Sequence, residues 1–143
     1  MTAFADRVEI TDIVTRLFVY TDQARWDEIL EHIFARTVEF DGGFGADAGP
    51  RTAESIVDDW RTGLADLDAV HHQAGNILIT LDGAAATVHA DAIAMHAKQS
   101  ARNGKTRTFV GSYTIGLQRQ AVGWRIDRFV YHLKFVDGNA DLT

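Results

Sequence analysis

The sequence predicts an α+β protein in which three N-terminal helices pack on one face of a curved antiparallel β-sheet. Apolar residues recur at three- and four-residue spacing from Val8 to Phe18, which is the pattern of one helix face. After Val70 the sequence changes to the alternation of apolar and polar residues that is typical of strands. Asp82-Gly83 and Asn103-Gly104 are hairpin signals. Helices followed by strands place the chain in the α+β class.

The first third of the chain predicts three helices. The first helix ends near Tyr20, and a second, short helix covers residues 26–34 with Asp27 and Glu28 in its first turn. Residues 37–41 form a short β-like run, and we expect the glycine-rich loop at residues 42–50 to be a mobile flap at a cavity mouth. Thr52 is a suitable N-cap for the third helix.

The remaining chain predicts a four-stranded antiparallel meander. Its strands cover residues 76–81, 86–97, 106–120 and 123–136. In the last strand, Trp124 and Ile126 share one alternation, whereas Phe129 and Tyr131 follow the opposite one. Because strand faces alternate strictly, we expect a β-bulge near Asp127-Arg128 that bends the sheet. A bent sheet with helices on its concave side encloses a pocket.

Composition indicates one domain over residues 1–143 and excludes several function classes. The net charge of −6 argues against a nucleic-acid partner, and no apolar run approaches the ~20 residues that span a bilayer. The chain has no cysteine, hence no disulfide and no thiolate site. No basic-then-apolar N-terminal segment appears, so we expect a cytoplasmic location. We interpret the basic run at residues 102–107 as a solvated hairpin loop.

Tyr20, Asp22 and His72 are the ordinary parts of a general acid–base site. Tyr20 and Asp22 are two positions apart, so they converge only if the helix ends between them; otherwise Asp22 caps the next turn. His71 and His72 face opposite sides of a strand. Strand alternation alone would bury the face that carries His71, because isoleucines share that face. A bulge would exchange the two faces.

A further histidine, His96, shares a strand face with Ala90, Ala92 and Ala94. These small residues leave room either for a ligand or for a crossing helix. The histidines lack the i,i+4 pairing of a zinc enzyme, and their strand parities conflict, so we expect no metal site. No phosphate-binding loop or nucleophile motif is present, so we expect no cofactor.

Several segments together resemble one family over nearly the whole chain. They are the helix that ends at Tyr20 and runs on to Trp26-Asp27, the Ile56 to Trp60 helix, His72-x-x-x-Asn76 before Asp82-Gly83, Gly111-Ser112-Tyr113, and Gly123-Trp124-Arg125-Ile126. This pattern resembles the SnoaL-like branch of the nuclear transport factor 2-like superfamily. That branch is similar to scytalone dehydratases, bile-acid dehydratases, ketosteroid isomerases and polyketide cyclases. The resemblance implies a cone-shaped, cystatin-like roll that encloses a pocket.

The resemblance to scytalone dehydratase also implies roles for individual residues. Tyr20 falls at a tyrosine that polarises the substrate carbonyl, and His72 at the histidine that removes the adjacent proton. His96 lies near a second pocket histidine, and Ser112 falls at a pocket serine. In that family the acidic partner directly follows the tyrosine, whereas here one residue intervenes before Asp22.

These observations predict a cofactor-independent lyase or isomerase that acts on a small, largely apolar, ring-containing carbonyl compound. In this hypothesis His72 is the base held by Asp22, Tyr20 donates to the oxygen that gains charge, and His96 assists proton delivery or departure of a leaving group. The expected substrate-binding residues are Trp60, Asn76, Phe109, Ser112 and Tyr131.

Two other functions remain open at this point. One is a non-catalytic module that binds a small molecule, and the other is a helper domain that assembles through its sheet. An imidazole paired with a carboxylate in an apolar pocket would favour the enzyme. We also expect a homodimer, or a trimer, through the exposed sheet face, because Ile93, Val110 and Val130 make that face partly apolar.

Overall fold

A computed structural model describes residues 2–45 and 48–143. Its helices are α1 (Ala3–Asp22), the short α2 (Trp26–Glu28), which continues into a π-helical turn (Ile29–Ile33), and α3 (Ala53–Leu64). Its strands are β1 (Phe34–Asp41), β2 (Gly49–Thr52), β3 (Ala69–Asp82), β4 (Ala85–Ala97), β5 (Thr106–Gln120) and β6 (Gly123–Gly138). The predicted α+β class is confirmed. No helix in the described part of the chain is long and apolar enough to cross a membrane.

The sheet has six strands in the order β2-β1-β6-β5-β4-β3, so the predicted four-stranded meander is incomplete. The β-like run expected at residues 37–41 belongs to β1, which pairs in parallel with β6. β2 then pairs antiparallel with β1. The sheet is therefore not wholly antiparallel. β1 buries Val38 and Phe40, and it supplies part of the cavity wall.

The predicted second helix is shorter than expected. The α-helix stops at Glu28, and the backbone N–H of Phe34 donates to the carbonyl of Ile29, which closes a wider π turn. This turn buries Ile29 and Ile33 almost completely. Phe34 is therefore the first residue of β1 rather than the last of a helix.

The bulge expected in the last strand is confirmed. Gly116 pairs with Arg128 and Leu117 with Ile126, so Asp127 is the extra residue. Ile126 and Phe129 consequently both point into the core, where they are almost completely buried. The bulge bends β6 at the level where β1 pairs with it, and the concave face receives the helices.

The closed end of the fold is held by a buried polar cluster between α1 and the sheet. The indole Nε1 of Trp124 donates to Oδ1 of Asp6 (3.1 Å), and Nη2 of Arg119 donates to Oδ2 (2.7 Å). The guanidinium of Arg119 also lies over the indole ring. Asp6 therefore anchors the start of α1, while the other end of the helix reaches the cavity.

Candidate active site

A cavity of about 290 Å³ lies between α1, α3 and the concave face of the sheet. Most of its wall is aromatic or aliphatic. Its lining includes Leu17, Phe18, Thr21, Phe40, Phe44, Trp60, Leu64, Ala94, Phe109, Tyr113, Phe129 and Tyr131. The remaining polar side chains are few: His72, His96, Arg107 and Asp59. Such a wall suits a small apolar ligand that is oriented by a few polar groups.

Helix geometry places a carboxylate beside His72. Asp22 is the last residue of α1 and lies one turn beyond Phe18, so both side chains project from the same helix face. The ring of Phe18 stacks on the imidazole of His72, with 5.7 Å between centroids and 25° between planes. The position of Asp22 at the helix end then brings its carboxylate to the start of β3.

Asp22 binds His72 through both carboxylate oxygens. Oδ1 lies 2.6 Å from Nδ1 of the imidazole, and Oδ2 accepts the backbone N–H of His72 at 2.8 Å. An ionised carboxylate only accepts hydrogen bonds, so Nδ1 carries the proton and Nε2 carries the lone pair. Nε2 has no partner among the described residues. This imidazole is therefore oriented as a proton acceptor.

A second imidazole has the opposite orientation. Nε of Arg107 donates to Nδ1 of His96 at 3.0 Å. Because a guanidinium only donates, Nδ1 of His96 is the acceptor and Nε2 carries the proton. The pKa of His96 falls from 6.5 to about 4, chiefly through burial, then through the charges of Arg107 and His72, with Asp22 acting in the opposite sense. His96 is thus a neutral hydrogen-bond donor at neutral pH.

The sheet register brings the two histidines together. His72 pairs with Ala94, two residues before His96, and the side chains of residues 72, 94 and 96 all line the cavity. Among the described residues, the only enclosed side-chain polar atom without a partner is Oη of Tyr131. Nε2 of His72 and Nε2 of His96 are therefore not fully enclosed by protein, and both rings line the cavity. One wall offers an acceptor beside a donor, which is the arrangement that acid–base chemistry requires.

Tyr20 does not lie in this cavity, contrary to the expectation. Its hydroxyl accepts a hydrogen bond from Nη1 of Arg16 (2.7 Å), and the guanidinium of Arg25 lies 4.1 Å from the ring centroid. α1 remains helical through Asp22. At 100° per residue, a rotation of about 200° about the helix axis separates Tyr20 from Asp22, so the two side chains project to nearly opposite sides. The cavity wall at this level of the helix is Thr21.

Asn76 and Ser112 also lie outside the cavity lining. Asn76 sits in a β-bulge of β3 with a left-handed φ of 51°, and its Nδ2 donates to Oδ2 of Asp91 (2.9 Å). Ser112 pairs with Asp91 on one side and His132 on the other. The bulge changes the parity of β3, so Asn76 turns to the outer face, as does Ser112.

Trp60, Phe109 and Tyr131 line the cavity as expected. The hydroxyl of Tyr131 is nevertheless enclosed by protein, because it lies over Gly111, where a Cβ would come within 2.6 Å of Oη. Burial raises the pKa of Tyr131. Its ring therefore shapes the cavity, while its oxygen is not reached from it.

Tyr113 and Arg107 are among the lining residues that the sequence analysis did not assign to the site. Tyr113 shares strand parity with Phe109, which was a usable signal, and burial raises the pKa of its phenol. Arg107 was assigned to a solvated loop although the predicted strand already began at residue 106; the structure places Arg107 in β5, directly opposite His96.

The loop at residues 42–50 contributes Phe44, whose ring contacts Phe109 (6.0 Å between centroids) and Tyr131 (6.4 Å). Ala46 and Asp47, which belong to the expected flap, lie outside the described residues. Within residues 2–45 and 48–143, no three histidine or carboxylate side chains converge as metal ligands.

A family model described as a SnoaL-like domain matches residues 2–130. A search of curated protein sequences finds no match. Among solved structures, Kfla4162 from Kribbella flavida is 25% identical with a TM-score of 0.88, and the alignment covers 99% of this chain and 98% of that chain.

Two further solved structures share the fold at lower identity. A scytalone dehydratase candidate from Novosphingobium aromaticivorans is 16% identical with a TM-score of 0.78, covering 95% of this chain and 89% of that chain. A hexachlorocyclohexane dehydrochlorinase, LinA-type3 from Novosphingobium barchaimii, is 15% identical with a TM-score of 0.77, covering 96% and 92%. At these identities the likeness concerns the fold.

Proposed function

The chain belongs to the SnoaL-like domain family of the nuclear transport factor 2-like superfamily, and we propose that it is a cofactor-independent lyase or isomerase. Its substrate is a small, largely apolar, ring-containing carbonyl compound. The observation that carries this proposal is the pairing of Asp22 with both Nδ1 and the backbone N–H of His72. A module that only binds ligands has no need to fix this tautomer.

The reaction begins with a proton transfer to His72. Nε2 accepts the proton from the carbon next to the carbonyl, and the carboxylate of Asp22 stabilises the resulting imidazolium. The C–H electron pair moves toward the carbonyl oxygen, where negative charge develops. Return of the proton to another carbon completes an isomerisation; loss of a leaving group with its electron pair from the neighbouring carbon completes an elimination.

His96 takes the donor role that the sequence had suggested for Tyr20. Its Nε2–H stabilises the developing negative charge on the oxygen or on the leaving group, as fixed donors do in enolising enzymes. A neutral imidazole is suited to this because its pKa of about 4 keeps it uncharged before the reaction. His72 therefore accepts a proton while His96 offers one, so the two imidazoles act as base and hydrogen-bond donor on one wall of the cavity.

The activities for which two structural neighbours are named support the lyase alternative. A dehydratase removes water and a dehydrochlorinase removes hydrogen chloride, and both reactions are eliminations that begin at a C–H bond. The aromatic wall and the cavity volume of about 290 Å³ suit a ligand with a single ring or with two fused rings.

The proposal can be tested before the natural substrate is known. Wild-type protein is incubated in D₂O with bicyclic ketones such as 1-tetralone, and deuterium uptake next to the carbonyl is followed by NMR. We expect His72→Gln to slow the catalysed exchange by at least ~10²-fold. His32→Gln is the control, because His32 is 57% exposed and does not line the cavity. Ketones that bind wild type without accelerated exchange would indicate the non-catalytic binding module.

We also propose that the chain forms a homodimer through the outer sheet face. Ile93, Val110 and Phe135 are cross-strand neighbours on β4, β5 and β6, and Ile93 and Phe135 are 44% and 55% exposed. Met95 extends this row on β4 and is also exposed. A contiguous apolar row of this kind is suited to burial against a second copy of the same sheet.

Analytical ultracentrifugation tests the assembly. Phe135→Glu should convert the dimer to a monomer, because it introduces charge into the apolar row. Leu78→Glu is the control, since Leu78 is 70% exposed but lies near the β3–β4 hairpin. A wild-type monomer at high micromolar concentration would contradict the proposal, and a trimer would change the stoichiometry.

A further inference from the structure

Arg107 offers the cavity a donor that the proposed reaction does not use. Its Nε donates to His96 (3.0 Å) and its Nη1 donates to the carbonyl of Ala140 (2.9 Å). Nη2 has no hydrogen-bond partner among the described residues. It is also not among their enclosed unpartnered atoms, so it remains accessible. The guanidinium lies over the ring of Phe109, 5.3 Å from its centroid, which fixes its position.

The positive charge of this guanidinium is not neutralised locally. Among residues 2–45 and 48–143, no carboxylate lies within 4 Å of Arg107. Burial lowers the pKa of Arg107, and the charge of Asp141 acts in the opposite sense. The other permanently charged residue of the lining, Asp59, is paired with Arg51 at 2.7 Å. A partly desolvated cation without a counter-charge is unfavourable, and an anionic ligand group relieves this cost.

We propose that Arg107 binds a carboxylate of the ligand, so that the substrate is a ring-containing carbonyl compound that carries a carboxylate. The position of the reacting carbonyl rests on the proposed function, whereas the anion site stands on the geometry of Arg107 alone. Arg107 is opposite His96 on β5, and His72 lies one strand further along on β3. The carboxylate therefore lies at the β5 side of the cavity and the reacting carbon at the β3 side.

Binding of a matched acid and amide tests this inference without any turnover. The probes are 2-naphthoate and 2-naphthamide, which differ in charge but hardly in shape, measured by titration calorimetry at neutral pH. Wild type should bind the acid at least ~10-fold more tightly than the amide, as expected for a charge-assisted hydrogen bond. Arg107→Met should remove this preference, because the acid loses more affinity than the amide.

Three further variants localise the effect. Arg107→Lys should keep part of the preference, because it retains the charge. Arg102→Met, in the β4–β5 connection and exposed, should keep all of it. His72→Gln should also keep it, so a failure of the proposed reaction is distinguishable from a failure of the anion site. Equal binding of acid and amide by wild type, no binding of the acid, or an undiminished preference in Arg107→Met would each overturn the inference.

Discussion

Replacement of Arg107 by methionine should raise the pKa of His96. The substitution keeps an unbranched side chain but removes its positive charge and the N–H that donates to Nδ1 of His96. In the intact protein, burial is the largest cause of the low pKa of about 4, and Arg107 is the second. The pKa should therefore rise but stay below the ordinary value of 6.5, because the burial remains.

The size of the change follows from the geometry. Nε of Arg107 lies 3.0 Å from Nδ1 of His96, which places the two charge centres about 5 Å apart. At an effective dielectric constant of about 20, two unit charges at that separation repel by roughly 3 kcal/mol. Screening by water at the cavity mouth reduces this to about 1–2 kcal/mol, which corresponds to a pKa increase of about one unit.

Long-range ¹H–¹⁵N correlation NMR measures this directly, because it reports both the pKa and the tautomer of each imidazole. Wild-type His96 should be the Nε2–H tautomer and remain neutral well below pH 6.5. Arg102→Met, in the exposed β4–β5 connection, should leave the pKa of His96 unchanged. An unchanged pKa in Arg107→Met, or a wild-type Nδ1–H tautomer, would refute the assignment of His96 as a donor.

Two predictions concern the stability of the fold. Gly111→Ala should lower the free energy of unfolding by about 1–3 kcal/mol, because its Cβ would lie 2.6 Å from Oη of Tyr131. The control is Gly75→Ala, whose Cβ meets nothing within 4 Å and which should cost less. Urea melts measure both. The hydrogen bond from Trp124 holds the pKa of Asp6 below its usual 3.8, so this carboxylate stabilises the fold above that value and the stabilisation is lost as pH falls through the native pKa. Asp6→Asn should therefore flatten the acid side of a plot of melting temperature against pH. Equal costs in the two glycine variants, or an unchanged acid side in Asp6→Asn, would contradict these predictions.

Local patterns predicted the parts of the fold that local physics determines. The parity change between Ile126 and Phe129 required an extra residue, and the structure places it at Asp127. The hairpin signals at Asp82-Gly83 and Asn103-Gly104 likewise mark the β3–β4 and β4–β5 connections. The parallel pairing of β1 with β6 was missed, because an eight-residue strand carries no local signal of a partner about ninety residues away.

The site was predictable only where strand parity or a motif determined the direction of a side chain. Whether Tyr20 or Asp22 faces His72 depends on where α1 ends. Each residue that the helix adds turns the direction of the side chain by 100° about the helix axis. The helix continues through Asp22, which directs the carboxylate inward and the phenol outward. Arg107 could have been assigned from strand parity, because it shares the alternation of Phe109 on β5; its position in the basic run at residues 102–107 led to the loop interpretation instead.

The central claim is that His72 is a base and that Asp22 acts through it. Deuterium exchange into a bound bicyclic ketone, measured for wild type, His72→Gln, Asp22→Asn and the double variant, tests this most directly. Asp22→Asn alone should slow exchange less than His72→Gln, and the double variant should be no slower than His72→Gln, since residues that act as a unit are not additive. Independent, multiplicative losses in the double variant, or equal exchange rates in wild type and His72→Gln, would contradict the account.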